Sequence, residues 1–228
     1  MFRLKLNVPN VKEYFFVNEP RLMRKKTRNG LLATAIIAAA AFATVVIILG
    51  VPIVSPTPVL EFPIKETNQV YGLRAYGIAN WSGPGTHHNG IDLLINASVS
   101  VISPVKGTVE SITENQNQFS TIHNILFEIT ILINWGWSAH LVLEPNYPGN
   151  DSTQNSLQHA AIHVSVLQRV DVGQDIAMLL HENSGSHLHF MLDAPSGDVC
   201  PYTYCSASAQ SILNAIPIVA GTSICSGS

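Results

Sequence analysis

The chain has 228 residues and a net charge of −3, with 46% hydrophobic and 12% charged residues and a mean hydropathy of +0.23. That is too apolar for a disordered chain and too weakly charged for a nucleic-acid binder, so no nucleic-acid partner is expected. The average hides a division: residues 1–30 carry eight basic and two acidic side chains, whereas 55–228 carry four basic and thirteen acidic ones.

In chain order, 1–30 is expected to be a basic cytoplasmic segment. Leu31 to Val54 then runs for 24 residues without a charge. As a helix it would span about 36 Å, enough for a hydrocarbon core of about 30 Å. The Arg24–Arg28 cluster abuts its N-terminal end, and no Lys or Arg follows until Lys65. The positive-inside rule therefore predicts a single-pass membrane protein with its C-terminal part outside. A cleaved signal peptide is the rival, since Ala41-Phe-Ala43 resembles a cleavage site. The segment before the apolar run is long for a leader, and so is the run itself, which favours an uncleaved signal anchor. Residues 55–66, with three prolines in SPTPVLEFP, predict a short stiff stalk. The remainder, 67–228, has the size of one domain.

Strand signals dominate that domain. Val99–Ile102 and Thr108–Thr113 alternate around a turn at Pro104–Gly107, and the apolar stretch Ile122–Trp137 suits one long strand or two consecutive ones. Residues 146–158 predict a polar loop, ending at most in a helical turn. Ile162–Val166, Asp175–Leu180 and Leu188–Leu192 predict further short strands, and only Ala207–Ile216 has a helical pattern. The expected class is all-β, a sandwich or barrel. Of Cys200, Cys205 and Cys225, two should pair in an oxidising compartment, as 200 with 205 or either with 225. Asn80, Asn96 and Asn150 fit the glycosylation pattern, which matters only in an organism that glycosylates.

All nine histidines lie between His87 and His189. Two clusters carry chemistry. In His88-Asn-Gly-Ile-Asp92 the Asn-Gly pair predicts a turn, and Asp92 faces away from Ile91, Leu93 and Ile95 on the following strand. In His187-Leu-His189-Phe two imidazoles leave one strand face while Leu188 and Phe190 enter the core. Two histidines and one carboxylate with an open fourth position form the ligand set of a catalytic zinc. Zinc lowers the pKa of its bound water toward ~7 and polarises a carbonyl, and a nearby histidine can move the proton.

Four motifs in order, His88–Asp92, Val101-Ile-Ser-Pro-Val-Lys-Gly-Thr-Val, Val170-Asp-Val-Gly-Gln-Asp-Ile-Ala and His187–Phe190, resemble the lysostaphin-type (LytM-like) zinc metallopeptidases over about residues 70–192. The resemblance implies a barrel-sandwich, or duplicated hybrid motif, domain that hydrolyses peptide cross-links of peptidoglycan. It implies one Zn2+ held by His88, Asp92 and His189, with His187 catalytic and Val172-Gly-Gln in a turn between barrel strands. Members of that family usually carry a further catalytic histidine between the two metal motifs. The candidates here are His140, His159 and His163, with Glu144 as a stand-in if none serves; His140 is the first choice and His159 the second. His87, His123 and His181 are expected to be bystanders, although His87 adjoins His88. The alternative function is a degenerate relative that binds wall or partner proteins and regulates another hydrolase. A sugar-phosphotransfer barrel has a similar fold, but the expected export argues against it.

Overall fold

The structure, a computed structural model, describes residues 56–79, 83, 85–117 and 122–226. The basic segment and the apolar run 31–54 lie outside the described residues. Among the described residues no helix is long and apolar enough to cross a membrane.

β-Branched and aromatic residues at alternating positions make strands, and glycines at left-handed backbone positions turn them. The strands are β1 (Val70–Ile78), β2 (His87–His88), β3 (Ile91–Ile95), β4 (Val99–Ile102), β5 (Gly107–Gln116) and β6 (Ile125–Asn134), then β7 (Trp137–Glu144), β8 (Arg169–Val170), β9 (Asp175–Leu179), β10 (His187–Ala194), β11 (Gly197–Val199) and β12 (Ile218–Ser226). Among the described residues, two helices, α1 (Ser152–Ala160) and α2 (Ala207–Ala215), and two short 3-10 turns accompany the strands. The all-β expectation is met. A ten-stranded sheet runs in the order β12-β1-β3-β10-β7-β6-β5-β8, with β2 beside β1 and β11 beside β10, and β4 and β9 form a separate pair. Every pairing in the main sheet is antiparallel except β12 on β1.

The stretch Ile122–Trp137 resolves into β6 and the start of β7. The turn between them uses Trp135 and Gly136, whose φ of 86° favours glycine. Leu188, Phe190 and Leu192 of β10 pack fully buried with Leu141, Leu143 and Phe127. Burying one such side chain is worth about 1.5–3 kcal/mol, so these alternating residues hold the opposite face of the sheet in place.

Three expectations are corrected. Residues 56–66 are not a stalk: Leu60, Phe62 and Ile64 are buried, and backbone bonds run from Leu60 N–H to Tyr204 O (2.9 Å) and from Ile102 N–H to Pro63 O (2.9 Å). The prolines concealed an apolar alternation that the core absorbs. Ile162–Val166 is not a strand but touches the sheet through one bridge, Ile162 to Ala177, before the chain turns at Leu167. The polar loop contains the nine-residue α1, whose Asp151 side chain accepts from the N–H groups of Thr153 and Gln154, both at 3.1 Å. The disulfide joins Cys200 to Cys225, leaving Cys205 buried with a free thiol, and the predicted α2 is present.

Candidate metal centre

Strand register assembles the site. One row across the sheet runs Arg74 (β1), Asp92 (β3), His189 (β10), Val142 (β7) and Glu128 (β6). The neighbouring row sets Leu94, His187 and Glu144 side by side. β2 brings in His88, and Asn89-Gly90 turns the chain back into β3 so that His88 leans over Asp92. All of these but Leu94 and Gly90 line a cleft of about 670 Å³.

The atoms converge. His88 Nε2 lies 3.0 Å from Asp92 Oδ1 and 3.2 Å from His189 Nδ1, and His189 Nδ1 lies 2.7 Å from Asp92 Oδ1. All three donor atoms fall within 4.8 Å of one another. Each is aimed by something behind it. Nδ1 of His88 donates to the Ala75 carbonyl at 2.7 Å, which turns Nε2 toward the cluster. Arg74 Nη1 donates to Asp92 Oδ2 at 3.2 Å, leaving Oδ1 for the cluster. The His189 ring lies against the Cα of Gly90, where a Cβ would come within 2.6 Å of Cε1 and 2.8 Å of Nε2. Two imidazole nitrogens and a buried carboxylate oxygen, pre-aimed at one point, suit a divalent transition-metal ion.

The electrostatics of the cluster reflect how close these groups lie. Burial pushes the Asp92 carboxyl up, but His187, His189 and His88 together hold it well below the usual carboxylate range. Burial likewise opposes charging of His88, and Asp92 outweighs it, so the His88 pKa is raised. A carboxylate this deeply buried needs polar partners, and the Arg74 guanidinium and the imidazoles of His88, His187 and His189 surround it.

Solved structures give the comparison. The chain is similar to Csd3 of Helicobacter pylori (TM-score 0.44, 18% identity, covering 66% of this chain and 35% of that one). It is similar to a protein described as peptidase M23 from Pseudomonas aeruginosa (TM-score 0.44, 16% identity, 68% and 53%). A zinc-containing peptidase from Vibrio cholerae also matches (TM-score 0.42, 18% identity, 63% and 39%). One of these is thus described as an M23 peptidase and another as a zinc-containing peptidase. The chain spans only about a third to a half of the length of these three. No protein-family profile and no curated protein matches it.

His187 stands beside the cluster, with Nε2 3.4 Å from Glu144 Oε1 and 3.7 Å from Asp92 Oδ2. Its Nδ1 donates to the Gly185 carbonyl at 2.7 Å. Burial disfavours its charged form, but Asp92 and Glu144 outweigh that and raise its pKa to about 9. The other candidate histidines are not brought to this point. His140 is on β7, bonded to Glu128 Oε1 at 2.7 Å and 3.3 Å from Asp193 Oδ2, and is not among the residues lining the cleft. His159 sits on α1, mostly exposed and paired with Glu114, and His163 pairs with Asp175. His87 does line the cleft, but its Nε2 is committed to Asp198 at 2.9 Å. Sequence reasoning missed Arg74 and left Glu144 as a stand-in. Glu144 shares its strand face with His140 and Val142, and only the register against β10 shows which of them meets His187.

Proposed function

We propose that this protein is a membrane-anchored zinc metalloendopeptidase that hydrolyses peptide bonds of a cell-wall polymer, the peptide cross-links of peptidoglycan. The observation that carries the reading is the convergence of His88 Nε2, Asp92 Oδ1 and His189 Nδ1 beside His187 in an open cleft. Those three would hold one Zn2+, and His187 would be catalytic. When bound, zinc would supply a Lewis acid for the carbonyl oxygen and lower the pKa of a bound water toward ~7. The chain's own groups do the rest. Arg74 and the Ala75 carbonyl keep Asp92 and His88 in their ligating orientations. His187, turned inward by Gly185, would donate a hydrogen bond to the oxygen that gains charge on the attacked carbonyl. The anchor rests on the uncharged run 31–54 and its basic flank, and the wall substrate on the motif resemblance.

The test pairs two measurements on one sample: metal content by mass spectrometry, and cleavage of purified wall polymer. The parent protein is expected to hold one zinc and to cleave. His189→Ala should lose zinc and activity together. His187→Ala should keep zinc and lose about 10²–10⁴ in rate, as expected for loss of a group that acts on the transition state. Full zinc in Asp92→Ala, or wall cleavage by His187→Ala at the parent rate, would overturn the assignment.

A further inference from the structure

Glu144 closes β7 directly opposite His187 on β10, and its side chain is 13% exposed at the wall of the cleft. Oε1 faces His187 Nε2 at 3.4 Å, and Oε2 accepts from Asn117 Nδ2 at 3.4 Å. The carboxylate is thus held from two sides, and it opens on the same space as the three converging donors without being one of them. The two members of the pair differ in what their geometry lets them do. Nδ1 of His187 meets a carbonyl and Nε2 meets only carboxylate oxygens, so the ring is placed to donate from both nitrogens. Glu144, as an ionised carboxylate, has only lone pairs to offer. Among the described residues no other carboxylate combines contact with His187 and a place on the cleft wall, apart from Asp92, which belongs to the converging cluster.

We propose that Glu144 is the general base of this site and His187 its oxyanion-stabilising partner, an acid–base pair of carboxylate and imidazole in place of two imidazoles. The inference rests on the metallopeptidase reading above. In the step, Glu144 Oε1 takes a proton from water as the water oxygen bonds to the peptide carbonyl carbon. The C–N bond then breaks, and that proton passes to the departing nitrogen. A carboxyl group and an amine remain, and nothing is oxidised or reduced. His140, bonded to Glu128 and Asp193, takes no part.

The experiment compares the parent, Glu144→Gln and Glu144→Asp. Gln keeps size and hydrogen bonding and removes the base, whereas Asp keeps the base and moves it back by one methylene. Metal content and far-ultraviolet circular dichroism should be unchanged in both. Glu144→Gln should lose 10²–10⁴ in kcat, and Glu144→Asp should recover at least tenfold of that. A second readout does not need peptide cleavage: a pH titration of the visible spectrum of the cobalt(II)-loaded protein. Its midpoint should move by at least one pH unit in Glu144→Gln. Equal kcat in parent and Glu144→Gln, or loss of bound metal in Glu144→Gln, overturns the proposal. If the parent cleaves no peptide yet the midpoint moves, the peptidase reading falls while Glu144 stands as the proton acceptor. If the midpoint also stays, both fall.

Discussion

Gly90 is where the smallest side-chain change should have the largest effect on the site. A methyl group there would press into the His189 ring at 2.6 Å, and His189 is fixed on a sheet that cannot yield locally. Gly90→Ala should therefore weaken zinc binding at least tenfold with the circular dichroism spectrum unchanged, measured by competition with a chromophoric chelator. The His140–Glu128 pair offers a test by pH. The hydrogen bond from His140, against burial, lowers the Glu128 pKa; burial lowers that of His140, but Glu128 and Asp193 outweigh it and the net shift is upward. A raised histidine stabilises fully below its unfolded value of 6.5, and that contribution fades as pH rises through the folded pKa. A depressed glutamate stabilises above 4.5 and fades as pH falls through its folded pKa. Both act between those two values. His140→Ala should lower Tm most near pH 5.5, by an amount equivalent to about 1–3 kcal/mol, and much less near pH 9. Calorimetry at both pH values checks this. Of the site, His88, Asp92, His187 and His189 were legible because short spacings on one strand or across one turn fix their directions. Arg74 was not, and Glu144 only as a stand-in, because their partners are 18 and 43 residues away in sequence and only strand order joins them.

β12 returns after α2 to lie parallel to β1, and the Cys200–Cys225 bridge ties it down. The bridge closes a separation of 25 residues, for which chain entropy gives about 3.5 kcal/mol. Cys225→Ala should lower unfolding stability by about 3 kcal/mol in urea titration and leave zinc content intact, since no ligand lies on β12. The α1 cap is a smaller case of the same kind. Asp151→Ala should cost about 1 kcal/mol. Its signal was present in the sequence as Asp151 followed by Gln154 three residues later, a capping pattern hidden in a polar stretch. The misplaced stalk failed for the opposite reason. Prolines mark chain stiffness, whereas burial was decided by Leu60, Phe62 and Ile64 between and after them. Which cysteines pair was equally out of reach, because it depends on where β12 docks.

The molecule as a whole divides into a basic, apolar N-terminal stretch and an acidic β domain. If 31–54 is the anchor, protease added to intact spheroplasts should digest the β domain and spare an N-terminal tag; removal of the tag instead would refute that topology. Loading with zinc should raise the Tm of the full chain, by an equivalent of about 2.7 kcal/mol at a hundredfold excess over Kd, and chelation should reverse it. The two ends of the main sheet bear on a different property. At one end β8 is two residues long; at the other, β12 meets β1 through two register shifts, with Gly221 at a φ of 103° packed onto Ala75. Because β8 pairs only with Gly107 and Thr108, β5 runs on to Gln116 with no further strand beside its outer edge among the described residues. Crowding of many such domains in one plane, as an anchored protein would experience, would therefore direct strand-by-strand contact to the outer edge of β5 rather than to the two-residue β8.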